Sequence, residues 1–167
     1  MKKVVLGLIS AGLLIGQSFA VENPPQIQQY IKECESGKKT SCIKVSIYSF
    51  EVKNYKQAFD FSKKACDLNS GHGCSMLGYH YLNGLGTKKD DKKAYEIFKK
   101  ACQLNDSTGC NNLAAMYFEG KVVKKDRNKA EKLYEKACKM RNTHACVILE
   151  QKFNKKISVK EKVSEIN

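Results

Sequence analysis

The chain has no tryptophan among its 167 residues, so any core must be assembled from smaller side chains. No CxxC pair occurs, which removes the usual spacing of zinc and thioredoxin-like redox sites. HExxH, a phosphate loop and any metal-ligand cluster are also missing, so neither a metal nor a cofactor is expected. Acidic residues are scarce, 17 against 30 lysines and arginines, for a net charge of +13. The basic residues alternate with acids and lack interleaved aromatics for base stacking, so nucleic acid is not an expected partner. Lys63-Lys64, Lys99-Lys100 and Lys136 recur at equivalent positions, as an outer, solvated helix face would.

Long apolar runs are absent apart from Val4 to Gly16, 13 residues that fall short of the about 20 needed to span a bilayer. Lys2 and Lys3 precede that run, and Ser18-Phe19-Ala20 follows it with the small-x-small pattern of a signal-peptidase site. Residues 1–20 are therefore expected to be a signal peptide. No cysteine stands at the cleavage point, which argues against a lipoprotein anchor. The chain from Val21 onward is expected in the periplasm or secreted, with no membrane span.

Export decides how the eight cysteines are read, because disulfides persist in oxidising compartments. Eight cysteines allow 105 pairings, but here they fall into four pairs with one spacing of eight residues. Pairing across that spacing joins Cys34 to Cys42, Cys66 to Cys74, Cys102 to Cys110 and Cys138 to Cys146. The other regular scheme strands Cys34 and Cys146. Each loop closed is short, so the chain-entropy argument assigns about 2–3 kcal/mol per bridge.

The cysteine pairs punctuate a repeat. Ala58–Cys74, Ala94–Cys110 and Ala130–Cys146 carry one design, with units of 32, 36 and 36 residues between first cysteines. Such a period signals a helical solenoid, in which no unit can bury its apolar face alone. Cys74, Leu77, Gly78, Tyr81 and Leu82 form an apolar stripe at helical spacing, repeated by Cys110, Leu113, Ala114, Tyr117 and Phe118. A first-type helix is thus expected to begin near each second cysteine, and a second-type helix to end near each first one. Gly84, Gly86 and Gly120 supply loop residues tolerant of positive φ, and Asn54, Asp90 and Asp126 are placed as helix caps. His72 and His144 share one repeat slot and read as turn residues.

LGYHYLNGLGTKKDDKKA (77–94) resembles the Sel1-like repeat, with its Leu-Gly-x-x-Tyr, Gly-x-Gly loop and Lys-Ala elements. LAAMYFEGKVVKKDRNKA (113–130) is similar, with Ala114 for the first glycine and Val122 for the second loop glycine. The added cysteine pair per unit resembles the Helicobacter cysteine-rich proteins. The resemblance implies an all-α, right-handed α/α solenoid of Sel1-like, tetratricopeptide-like helix pairs stapled by disulfides. The expected organisation is a solenoid over 21–156, with helix pairs at about 41–70, 73–105 and 109–141. Capping helices are expected at 25–36 and 143–154, and a cap or tail at 157–167, where Ser158 to Glu161 could form a capping box. The resemblance also implies β-lactam (penicillin) binding with weak β-lactam hydrolysis, which can reflect affinity for a cell-wall peptide fragment.

The residues offer no catalytic set for that activity. Ser36-Gly37-Lys38-Lys39 and Ser41-Cys42-Ile43-Lys44 match S-x-x-K, but they crowd onto one disulfide loop, and S-D-N is absent. The remaining candidate is the face of the first-type helices opposite the packing stripe, expected to line a concave groove. Its candidate binding residues are Tyr48, Met76, Tyr79, His80, Asn83, Asn112, Met116 and Glu119. The alternative function is accordingly a non-catalytic scaffold, monomeric, that holds a peptide or protein partner in this groove.

Overall fold

In the computed structural model, residues 23–155 are described and form eight α-helices and no strands. They are α1 (Pro25–Glu35), α2 (Lys39–Glu51), α3 (Tyr55–Asp67), α4 (Gly71–Asn83), α5 (Asp91–Gln103), α6 (Ser107–Glu119), α7 (Arg127–Lys139) and α8 (Thr143–Phe153). The expected signal peptide, the 157–167 segment and the Ser158–Glu161 capping box lie outside the described residues.

The six inner helices are each 13 residues long because the same start and stop chemistry recurs. Asn54, Asp90 and Asp126 accept the backbone N–H three residues on, capping α3, α5 and α7. Ser70, Asp106 and Asn142 do the same for α4, α6 and α8, a set of caps the cysteine spacing had obscured. These helices therefore begin three residues before the second cysteine of each pair. His72 and His144 stand in the first helical turn and are not turn residues. Just before each of these caps, Asn69, Asn105 and Arg141 take φ of 55°, 57° and 65°, which ends the preceding helix. Helices α4 and α6 stop instead on left-handed Gly84 and Gly120.

Consecutive helices pack antiparallel into an all-α solenoid. All eight cysteines are bonded, 34–42, 66–74, 102–110 and 138–146, each bridge tying a second-type helix to the next first-type helix. The two central joints are the tighter, with Cα–Cα distances of 4.4 Å against 4.8 Å at both ends. The cause is the residue before the second cysteine. At the central joints it is glycine: a β-carbon on Gly73 or Gly109 would lie 2.4 Å from the methyl of Ala65 or Ala101. At the end joints the same slot holds Ser41 and Ala145, whose side chains need room.

Within each unit, one pair of slots trades volume. Gly78 admits the fully buried Phe98 ring, which a β-carbon there would meet at 2.6 Å. In the first unit those slots hold Ser46 and Ser62, whose hydroxyls lie 2.6 Å apart, while Ser46 also donates to the Ala58 carbonyl. In the third unit they hold Ala114 and Tyr134, both buried in one cluster. Small faces large, or polar faces polar.

The lysines are not all part of a solvated face. Lys100 Nζ donates to the Cys66 carbonyl at 3.0 Å, and Lys136 Nζ to the Cys102 carbonyl at 2.9 Å. Each spans from one unit to the C-terminal end of the preceding unit's helix, where backbone carbonyls lack intrahelical donors.

Candidate functional site

Helix α2 contacts α4, and α4 contacts α6, more closely than the second-type helices contact one another. The first-type helices therefore occupy the inner side of the curve. Five residues after the cysteine, this side leaves large apolar groups open: Ile47 is 40% exposed and Tyr79 is 45% exposed. The Tyr79 ring meets the edge of Phe50 from the preceding unit at 6.1 Å, which orients it without covering it. Asn83, one turn on, is exposed and donates from Nδ2 to the Tyr79 carbonyl at 2.9 Å. Met76 and Tyr48 are half-buried, as is Asn112, whose Oδ1 accepts from Asn111 Nδ2 at 3.4 Å. Glu119 is exposed and paired with Lys121 at 3.0 Å.

Two of the candidates do not face the groove. His80 is 1% exposed and Met116 is 8% exposed. Both lie six residues after the cysteine, which at 3.6 residues per turn is the flank of the helix and not its open face. His80 is covered there by Phe50 and Phe59 of the preceding unit, with ring centroids 6.0 and 6.1 Å away. Its Nδ1 lies 2.9 Å from the Leu85 carbonyl, which can only accept, so the proton sits on Nδ1. Burial lowers its pKa from the ordinary histidine value, and the Leu85 bond offsets part of that. The ring is a neutral tie between the α2–α3 aromatics and the 84–86 loop.

The S-x-x-K residues do not assemble a nucleophile. Ser41 is 1% exposed and donates to Glu33 Oε2 at 2.5 Å. Glu33 also pairs with Lys38 at 3.0 Å. The Ser41 hydroxyl first, and Lys38 next, hold this carboxylate below its usual pKa, which makes it a poor general base. Ser36 Oγ donates to the Glu33 carbonyl, and Lys44 Nζ donates to the Tyr30 hydroxyl at 3.3 Å. Glu33 and Ser41 occupy the slots that hold Ala65 and Gly73 one unit later, so the cluster is the polar version of a helix joint. Among the described residues, no three His, Cys, Asp or Glu side chains converge as a metal site would need.

A second concavity has no counterpart among the residues expected to bind. It lies between α5 and the 120–126 loop, with a volume of about 430 Å³ and Tyr81, Tyr95, Ile97, Val122 and Val123 in its wall, none of them a candidate of the first-type face. The signal for it was the departure from the Gly-x-Gly loop pattern at Val122.

The Sel1 repeat pattern matches residues 50–70, 71–106 and 107–142. Cysteine-rich protein B of Helicobacter pylori shares 43% identity over 74% of this chain and 91% of its own, with a TM-score of 0.61. A Sel1 repeat protein from Oxalobacter formigenes superposes with a TM-score of 0.71 at 22% identity, over 77% of this chain and 54% of its own. A protective antigen of uropathogenic Escherichia coli with an SLR fold gives 0.54 at 19% identity, over 75% and 36% of the two chains. Those last two likenesses concern the fold alone. Among curated protein sequences none matches.

Proposed function

The chain belongs to the Sel1 repeat family, and we propose that it is a non-catalytic scaffold holding an extended peptide segment of a partner protein against its first-type helices. Sel1 repeats are in general protein–protein interaction modules, and none of the described helices is long and apolar enough to cross a membrane. The observation that carries the reading is Tyr79, a large side chain left 45% exposed beside the exposed amide of Asn83. Its ring offers an apolar face and a hydroxyl at low entropic cost, and Asn83 and Asn112 can fix peptide backbone groups. Met76 and Glu119 complete the face; Tyr48 shares the flank slot of His80 and Met116 and borders it, half-buried against the first unit's core. The four disulfides fit an oxidising, extracytoplasmic location. Export through residues 1–20, to the periplasm or beyond, and a monomeric state belong to the same reading.

A β-lactam or cell-wall peptide fragment is the small-molecule ligand this face would take, since β-lactams mimic the end of such peptides. Hydrolysis is not part of the proposal, because Ser41 is closed off and Glu33 is a weak base. The test is selection of a displayed random peptide library on the oxidised protein, followed by affinity measurement on Tyr79→Ala and Asn112→Ala. A loss of tenfold or more at unchanged melting temperature supports the reading. Affinity unchanged from the unsubstituted protein in both variants refutes it, and so does chromogenic cephalosporin turnover above that of the reduced protein.

A further inference from the structure

In the second unit, Gly86 lies flat on the start of α3: a β-carbon there would stand 2.0 Å from the Tyr55 carbonyl oxygen. The corresponding residue of the third unit is Val122, whose side chain forbids that approach to the start of α5. A groove of about 430 Å³ lies there, lined by α5 on one side and by Val122 and Val123 of the 120–126 loop on the other. A second cavity of about 560 Å³, walled by Tyr117 and residues 123–128, adjoins it through Val123. Tyr95 lines the first and Tyr117 the second, and their hydroxyls are joined at 2.7 Å.

The two cavities differ in chemistry. The first is mostly apolar, with Tyr81, Ile97, Val122 and Val123 placed to strip water from an inserted side chain. Its rim and the second cavity carry Lys92, Lys93, Lys124, Lys125 and Arg127 against Glu96 and Asp126. Asp126 Oδ1 is committed to capping α7 through the Lys129 N–H. Lys93 is paired with Asp90, whereas among the described residues no carboxylate lies within 4 Å of Lys92, Lys124, Lys125 or Arg127. A positive field thus surrounds an apolar slot.

We propose that this groove docks an acidic peptide segment that inserts one large apolar side chain beside Val122 and sets flanking carboxylates on Lys92 and Lys124. A nucleic acid fits less well, because Tyr95 and Tyr117 meet edge to face at 76° and offer no open stacking platform. The surface is separate from the first-type helix face, so one chain can hold two partners at once.

The probe is a fluorescein-labelled EEEFEEE peptide, with EEEGEEE and a sulfated heparin oligosaccharide as comparators, titrated onto the oxidised full chain. EEEFEEE is expected to bind at least tenfold more tightly than EEEGEEE. Val122→Gly, which restores the loop glycine and lets the loop close, is expected to remove that difference. Lys92→Glu combined with Lys124→Glu is expected to weaken EEEFEEE at least tenfold, and Tyr79→Ala to leave it unchanged. Equal binding of the two peptides would overturn the proposal, as would indifference to the double charge reversal. Tighter binding of the heparin oligosaccharide than of EEEFEEE would overturn it in favour of a sugar polyanion. Should Val122→Gly fail to fold, the exposed Lys92 and Lys124 substitutions decide the matter alone.

Discussion

Gly73 and Ala65 set the closeness of a stapled joint: a β-carbon on Gly73 would lie 2.4 Å from that of Ala65, and the adjoining Cys66–Cys74 bridge draws the Cα atoms to 4.4 Å. Alanine is favoured over glycine in a helix by about 1 kcal/mol, whereas overpacking of this kind costs about 1–3 kcal/mol. Packing is expected to win here, because the Ala65 methyl is fixed to a helix backbone and can yield only if the joint opens towards the 4.8 Å of the end joints. Gly73→Ala and Gly109→Ala are each expected to lower stability by up to about 2 kcal/mol in urea unfolding. Ala145→Gly, at a joint already open to 4.8 Å, should cost about 1–2 kcal/mol, the helix-propensity difference plus the lost burial of its covered methyl.

Reduction tests the staples as a set. Each closes a short loop worth about 2–3 kcal/mol, a large share of the ~5–15 kcal/mol of a typical domain. Thermal melting followed by circular dichroism should show loss of cooperative helix near body temperature in reductant. A cooperative transition at the oxidised temperature would contradict this.

Acid should weaken the fold in two windows. His80 is neutral and buried, so its folded pKa lies below its unfolded one, and the unfolded chain binds the extra proton. Stability therefore falls as the pH drops below about 6.5, with a slope of at most about 1.4 kcal/mol per pH unit for one proton. Glu33 and Asp90 have lowered pKa values, Glu33 through Ser41 and Asp90 through the Lys93 N–H. Their contributions are present at neutral pH and are lost only in the carboxylate range. His80→Gln, less stable overall, should flatten the urea midpoint between pH 7 and 5 while leaving the lower window in place.

The lysine bridges separate from the lysine coat. Lys100→Met removes the bond to the Cys66 carbonyl and should cost about 1 kcal/mol. Lys99→Met, on the exposed side of the same turn, should stay within about 0.5 kcal/mol.

What could be read ahead of the structure followed from how local each signal is. The caps at Asn54, Asp90 and Asp126 were legible because each polar residue opens a clear apolar pattern. Ser70, Asp106 and Asn142 are harder to read because the cysteines draw the boundary into the first helical turn, and the left-handed residues before them include an arginine. His80 is misplaced because Phe50 and Phe59 of the preceding unit cover it, which no single-helix projection contains, and Met116 is buried in the same slot. Ser46 and Ser62 sit 16 residues apart, and only the packed pair explains why both are small and polar. The Val122 groove was visible as a broken loop pattern, but its shape depends on Gly86 closing the same space one unit earlier.

The central claim, binding without chemistry on the first-type helix face, is tested most directly by a ¹⁵N–¹H titration of the oxidised protein with a library-selected peptide. The account predicts saturable shifts grouped at Ile47, Tyr79, Asn83 and Asn112, with the 36–44 loop unmoved. Shifts centred on Ser41 and Lys44, or scattered over the lysines without saturation, would contradict it.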